Sequence, residues 1–99
     1  MTKDADGKPQ SSRFDPPLSQ IKARAMGELE IGEARWDVLL EIATDPVDGV
    51  VHGRIHFISG NVHRLSSWIF LEWTDKDIEA RFREYSSGRN LWDLLKSLE

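Results

Sequence analysis

The sequence predicts an α+β protein, a four-stranded antiparallel β-meander followed by two C-terminal helices packed on one face of the sheet (ββββαα). Three observations predict it. Apolar and polar residues alternate with period two through most of the stretch from Ile21 to Trp73, short Gly/Asn/Asp/Pro clusters interrupt that alternation at hairpin intervals, and beyond Thr74 the spacing of apolar residues becomes helical.

Residues 1–17 (MTKDADGKPQSSRFDPP) hold few apolar side chains and end in Pro16-Pro17, so they read as a disordered tail before one α+β domain over residues 18–99. From Ile21 to Ile31 small or apolar residues occupy the odd positions with mostly charged ones between, which predicts a strand. Gly32-Glu33 suits a two-residue turn into Ala34 to Thr44. There the β-branched and aromatic residues favour a strand over a helix carrying Trp36, Leu39, Leu40 and Ala43 on its stripe. Asp45-Pro46-Val47-Asp48-Gly49 suits a type I turn in a four-residue hairpin loop, and a third strand follows from Val50 to Ile58. Ser59-Gly60-Asn61 is read as a three-residue loop and Val62 to Trp73 as the fourth strand. Thr74-Asp75-Lys76-Asp77 resembles a capping box, and Ile78, Phe82 and Tyr85 form the stripe of the helix it opens. Ser86-Ser87-Gly88 ends that helix, and Asn90 caps a second with Leu91, Leu94, Leu95 and Leu98 on one face.

These loop lengths set a register. One face carries Ala23/Ile42/Val51/Ile69, Ala25/Leu40/Gly53/Ser67, Gly27/Val38/Ile55/Leu65 and Leu29/Trp36/Phe57/His63. It is apolar, so the helices belong on it. The other face carries Lys22/Ala43/Val50/Phe70, Arg24/Glu41/His52/Trp68, Met26/Leu39/Arg54/Ser66 and Glu28/Asp37/His56/Arg64. Opposite charges adjoin in two of its rows, and each such cross-strand pair is worth roughly 0.2 to 1 kcal/mol.

Composition narrows the function classes. In 99 residues there is room for one core, and no cysteine is present, which excludes disulfides, thiolate nucleophiles and cysteine-ligated metals and fits a reducing, cytoplasmic setting. The formal charge of -4 resides in residues 21–99, because Lys3, Lys8 and Arg13 cancel Asp4, Asp6 and Asp15. No basic cluster appears, so nucleic acid is not an expected partner. No apolar run approaches the roughly 18 residues that span a bilayer, so neither is a membrane. The final Leu98-Glu99 reads as a possible expression remnant.

No motif nominates a catalytic residue or a cofactor. His52 and His56 have helical metal-ligand spacing, but on a strand they stand roughly 13 Å apart, and the register puts His63 on the opposite face, so no metal is expected. Glu41 beside His52 and Asp37 beside His56 supply carboxylate and imidazole pairs, yet they lie on a convex surface that does not exclude water. What a solvated face does not need is its apolar content. Trp68, Phe70, Leu39 and Met26, with Arg54 and His52, form the expected partner-binding patch of a non-catalytic interaction or self-association module, whose partner is another protein or a second copy. The alternative is a small-ligand protein or enzyme using a trough of small residues, Ala25, Gly53 and Ser67, between sheet and helices.

Overall fold

The computed structural model describes residues 19–99, with side chains from residue 21 onward; the predicted tail over residues 1–17 lies outside the described residues. Its elements are β1 (Ser19–Ile31), β2 (Ala34–Thr44), β3 (Val51–Ser59), β4 (Val62–Leu65), β5 (Phe70–Glu72), α1 (Asp75–Ser86) and α2 (Asn90–Ser97). The sheet is an antiparallel meander ordered β1-β2-β3-β4, with β5 also paired to β3, and the two helices follow it. The predicted fourth strand is thus present in two pieces. No helix among the described residues is long and apolar enough to cross a membrane.

One face of the sheet is the core. Leu40, Ile42, Ile55 and Phe57 are completely buried there, together with Ile78 of α1 and Leu95 of α2. Helix α1 starts where the sequence predicts it, with Thr74 Oγ1 accepting a hydrogen bond from the Asp77 amide at 3.0 Å. Helix α2 does not use the expected cap. Asn90 is already helical, and its amide reaches back to the Tyr85 carbonyl at 3.0 Å, tying the two helices together.

Three local features move the register away from the one expected. A bulge in β1 falls between Ala25 and Gly27, so the pairs are Gly27 with Val38 on one side and Ala25 with Leu39 on the other. An extra residue exchanges the faces of everything beyond it. Lys22 and Arg24 therefore stand on the helix side, where they meet Asp75 at 2.5 Å and Glu79 at 3.0 Å, while Ala23 and Ala25 turn outward. Met26, the bulged residue, packs against the core cluster instead of joining the outer patch.

The β2–β3 loop is longer than expected. Asp45 and Asp48 each accept a backbone amide two residues on, at 2.8 and 2.9 Å, and Val50 belongs to the loop, so Thr44 pairs with Val51. Such Asx turns give the loop its own hydrogen bonds in place of the ladder's. The strands slide by two residues, which preserves faces and changes neighbours: Glu41 lies opposite Arg54 and Asp37 opposite Ile58, not beside His52 and His56.

The β3–β4 turn is shorter than expected. Ser59 pairs with Val62 across Gly60-Asn61, with Gly60 at φ 60°, so His63 lies opposite Ile58 on the outer face. The strand then leaves the pleat at Ser66. Its hydroxyl accepts the Ile55 amide at 2.9 Å and donates to the Ser67 carbonyl at 2.7 Å, which keeps Ile55 satisfied while the chain gains two residues before β5. Phe70 consequently pairs with Gly53 on the core face and is 7% exposed, so it is a core residue and not part of the outer patch.

Gly53 makes this packing possible. A Cβ there would stand 2.8 Å from Ile78 Cγ2 and 3.2 Å from Phe70 Cβ. The expected small-residue trough is therefore filled: Gly53 lies beneath Ile78 and Phe70, Ala25 faces the other side, and Ser67 lies in the exposed link between β4 and β5. Gly53→Val forces two large side chains of the core apart and should destabilise the fold by about 1 to 3 kcal/mol. Denaturant unfolding measures this, and an unchanged midpoint would mean that α1 does not sit on Gly53.

Candidate functional site

The sheet face opposite the helices is built in four rows. Ala43, His52 and Leu71 make the first; Ala23, Glu41 and Arg54 the second, with Trp68 laid over Arg54; Ala25, Leu39, His56 and Leu65 the third; Glu28, Asp37, Ile58 and His63 the fourth. Large side chains gather on the β3–β5 half and small ones on β1.

At its centre is a polar network. Glu41 is only 8% exposed and accepts Arg54 Nε at 2.8 Å and Nη2 at 3.3 Å, a forked ion pair across the β2–β3 ladder. The same carboxylate lies 2.6 Å from His56 Nε2, and His56 Nδ1 lies 2.8 Å from Nε2 of His63. Since the ionised carboxylate can only accept, it holds a proton on His56 Nε2. Burial pushes the Glu41 carboxyl up, but the hydrogen bonds and charges of Arg54 and His56 outweigh it, and the group lies below the ordinary carboxylate value of 4.5.

Arg54 has a second partner. Its guanidinium lies 4.1 Å from the centre of the Trp68 ring, and His52 meets the same ring edge-on with centroids 5.9 Å apart. Trp68 is thus held by a cation–π contact and an aromatic edge, each worth on the order of 0.5 to 1.5 kcal/mol. His52 and His56 point to different partners, the indole and Glu41. Among the described residues no group of three or more His, Cys, Asp or Glu side chains is placed to hold a metal ion.

Of the residues expected to bind a partner, the structure brings Trp68, Arg54 and His52 together and places Leu39 on the same face, half-buried; it removes Phe70 and Met26 to the core side. It adds others. Leu65 is 39% exposed and Leu71 57%, both on this face, and Trp73 at the end of β5 is 70% exposed. Gly60-Asn61 between two apolar runs is itself a signal for a two-residue hairpin. Read so, it would have turned Leu65, Leu71 and His63 outward.

Two shallow concavities adjoin the face. One of about 670 Å³ lies over the β1 bulge, lined by Ala25, Glu28, Asp37, Leu39 and Ile58. The other, about 550 Å³, runs along β5 between Trp68, Ile69 and Leu71 and the α1 residues Arg81 and Tyr85. Burial, followed by the charge of Asp93, raises the Tyr85 hydroxyl above its ordinary value, so it stays protonated at neutral pH. No family model, curated protein or solved structure matches this chain.

The Glu41 network makes an acid-sensitive contribution to stability. A carboxyl whose value is lower in the fold than in the unfolded chain stabilises the fold above the unfolded value and loses that contribution as pH falls through the folded one. Wild type should therefore lose stability below pH 4.5 more steeply than Glu41→Gln. At neutral pH the variant should cost about 1 to 3 kcal/mol, since Arg54 and His56 lose a charged acceptor. Urea midpoints at a series of pH values test both statements, and parallel acid slopes would show that Glu41 is not the group that titrates.

Proposed function

We propose that the protein is an interaction module whose uncovered sheet face, centred on Trp68, packs against another protein surface. One observation carries this reading: both helices lie on one face of the sheet, and the opposite face presents Leu65, Trp68 and Leu71 without any described element over them. Exposed apolar side chains placed singly are ordinary. A contiguous group mixed with arginine and aromatic rings is the composition of an interface centre. The trough beneath the helices, which would have favoured a small ligand, is closed by Ile78 and Phe70.

A photo-crosslinking phenylalanine analogue at Leu71 should capture a polypeptide in the producing cell, whereas the same group at Lys96, exposed on α2, should not. In parallel, Leu71→Ser with Trp73→Ser should change stability by less than about 0.5 kcal/mol per site, as solvent-facing positions do. No adduct from Leu71, or equal adducts from both sites, would refute the reading. A stability loss of several kcal/mol would place these side chains in the core.

A further inference from the structure

The outer face is complementary to itself, and we infer that its partner is a second copy of this chain, packed sheet on sheet about a two-fold axis parallel to the strands. This inference rests on the outer-face reading above and names its partner. Such an axis keeps each row at its own height and reverses the order of the strands, so β1 of one copy lies over β4 and β5 of the other. The rows then match in size. Ala23 lies beneath Trp68 of the second copy and Ala25 beneath Leu65, small residues of the face under large ones.

The polar residues are placed compatibly. Glu28, held only loosely by Arg35 at 3.7 Å, faces the exposed His63 of the second copy, while Glu41 and Arg54, bound to each other within each chain, lie beneath the contact. Asp37 over Ile58 and Leu39 over His56 are the pairings without complementarity. The other in-plane axis, perpendicular to the strands, reverses the rows instead. It sets Ala23 over Ala25 and Trp68 over Leu65, leaving a void and a collision. Only the parallel axis satisfies both halves of the face.

The contact area is modest. The four rows span about 20 Å along the strands and about 14 Å across them, so with side-chain margins the contact buries roughly 1,000 Å² in total, the low end for a specific interface. Association should be reversible, with a dissociation constant on the order of 1 to 100 µM.

Sedimentation equilibrium of the full chain from about 1 µM to 1 mM, a range that brackets this constant, should show a monomer–dimer equilibrium. Ala23→Arg should abolish it while leaving thermal unfolding of the monomer unchanged, because Ala23 is exposed in the isolated chain. Glu28→Lys and His63→Glu should each weaken the dimer several-fold, and the two together should restore it. Failure of the double variant to recover would overturn the axis, and a dimer that persists in Ala23→Arg would place association on another surface. A wild type monomeric throughout the range overturns self-association. Leu71 adducts containing a foreign protein would then leave the outer-face reading standing, and no adducts at all would remove both.

Discussion

One extra residue in β1 organises the rest of the molecule. The bulge between Ala25 and Gly27 divides that strand into two halves with opposite facing. Leu29 and Gly27 point to the core in one half, and Lys22 and Arg24 point the same way in the other. Without it, period-two alternation would send both cations to the outer face and Ala23 and Ala25 under the helices. With it, the cations meet Asp75 and Glu79 on the first turns of α1 and settle where that helix lies across the sheet. Ion pairs this exposed contribute little, typically under about 1 kcal/mol, so they orient the helix more than they hold it. The binding force is apolar burial of Ile78, Phe82, Leu91 and Leu95 against the strands.

Position and close approach are linked through Gly53. A helix settled at the Ser19 end of the sheet must pass over β3 where Phe70 also lies, and the strand can admit both Ile78 and Phe70 only where it has no side chain of its own. The break in the fourth strand serves the same packing. The two-residue turn at Gly60-Asn61 sets Phe70 inward and Leu71 outward, and the break, which gives Ile55 the Ser66 hydroxyl as a partner and adds two residues before β5, brings Phe70 opposite Gly53. The apolar content of the outer face therefore results from how the core was filled.

The period-two pattern, the turn clusters and the Thr74 cap made the element order legible, because each is a local property. Register was less legible. It depends on loop lengths whose errors act by parity: a two-residue slide at Asp45 to Val50 preserved faces and changed only neighbours, whereas one residue at Gly60-Asn61 turned His63 over. The bulge carried a signal in Gly27, whose φ of 140° is reached easily only by glycine, but a glycine in a strand does not announce on which side the extra residue falls. For the same reason Trp68, Arg54, His52 and Leu39 were placed on the outer face from alternation alone, while Phe70 and Met26 were misplaced. The Glu41–His56–His63 chain was invisible, since its members come from three strands and meet only in the observed register.

That chain gives the outer face a property beyond exposed area. Glu41 is buried at the centre of the sheet and fixes the Arg54 guanidinium with a two-pronged ion pair; the fixed guanidinium then provides a flat cation for the Trp68 ring, with His52 closing its edge. A tryptophan held in this way loses less rotamer freedom when a partner covers it than one standing free, and side-chain ordering at an interface costs roughly 0.5 to 1.5 kcal/mol for each flexible residue. His56, anchored to the same carboxylate, orders His63 at the far end of the face by the same means. On the proposed reading, one buried carboxylate prepares both ends of the contact surface before any partner arrives, which reconciles a costly buried charge with a face otherwise suited to apolar contact. The network then acts as the rigid support of a binding surface, and its polar atoms remain satisfied whether or not that surface is covered.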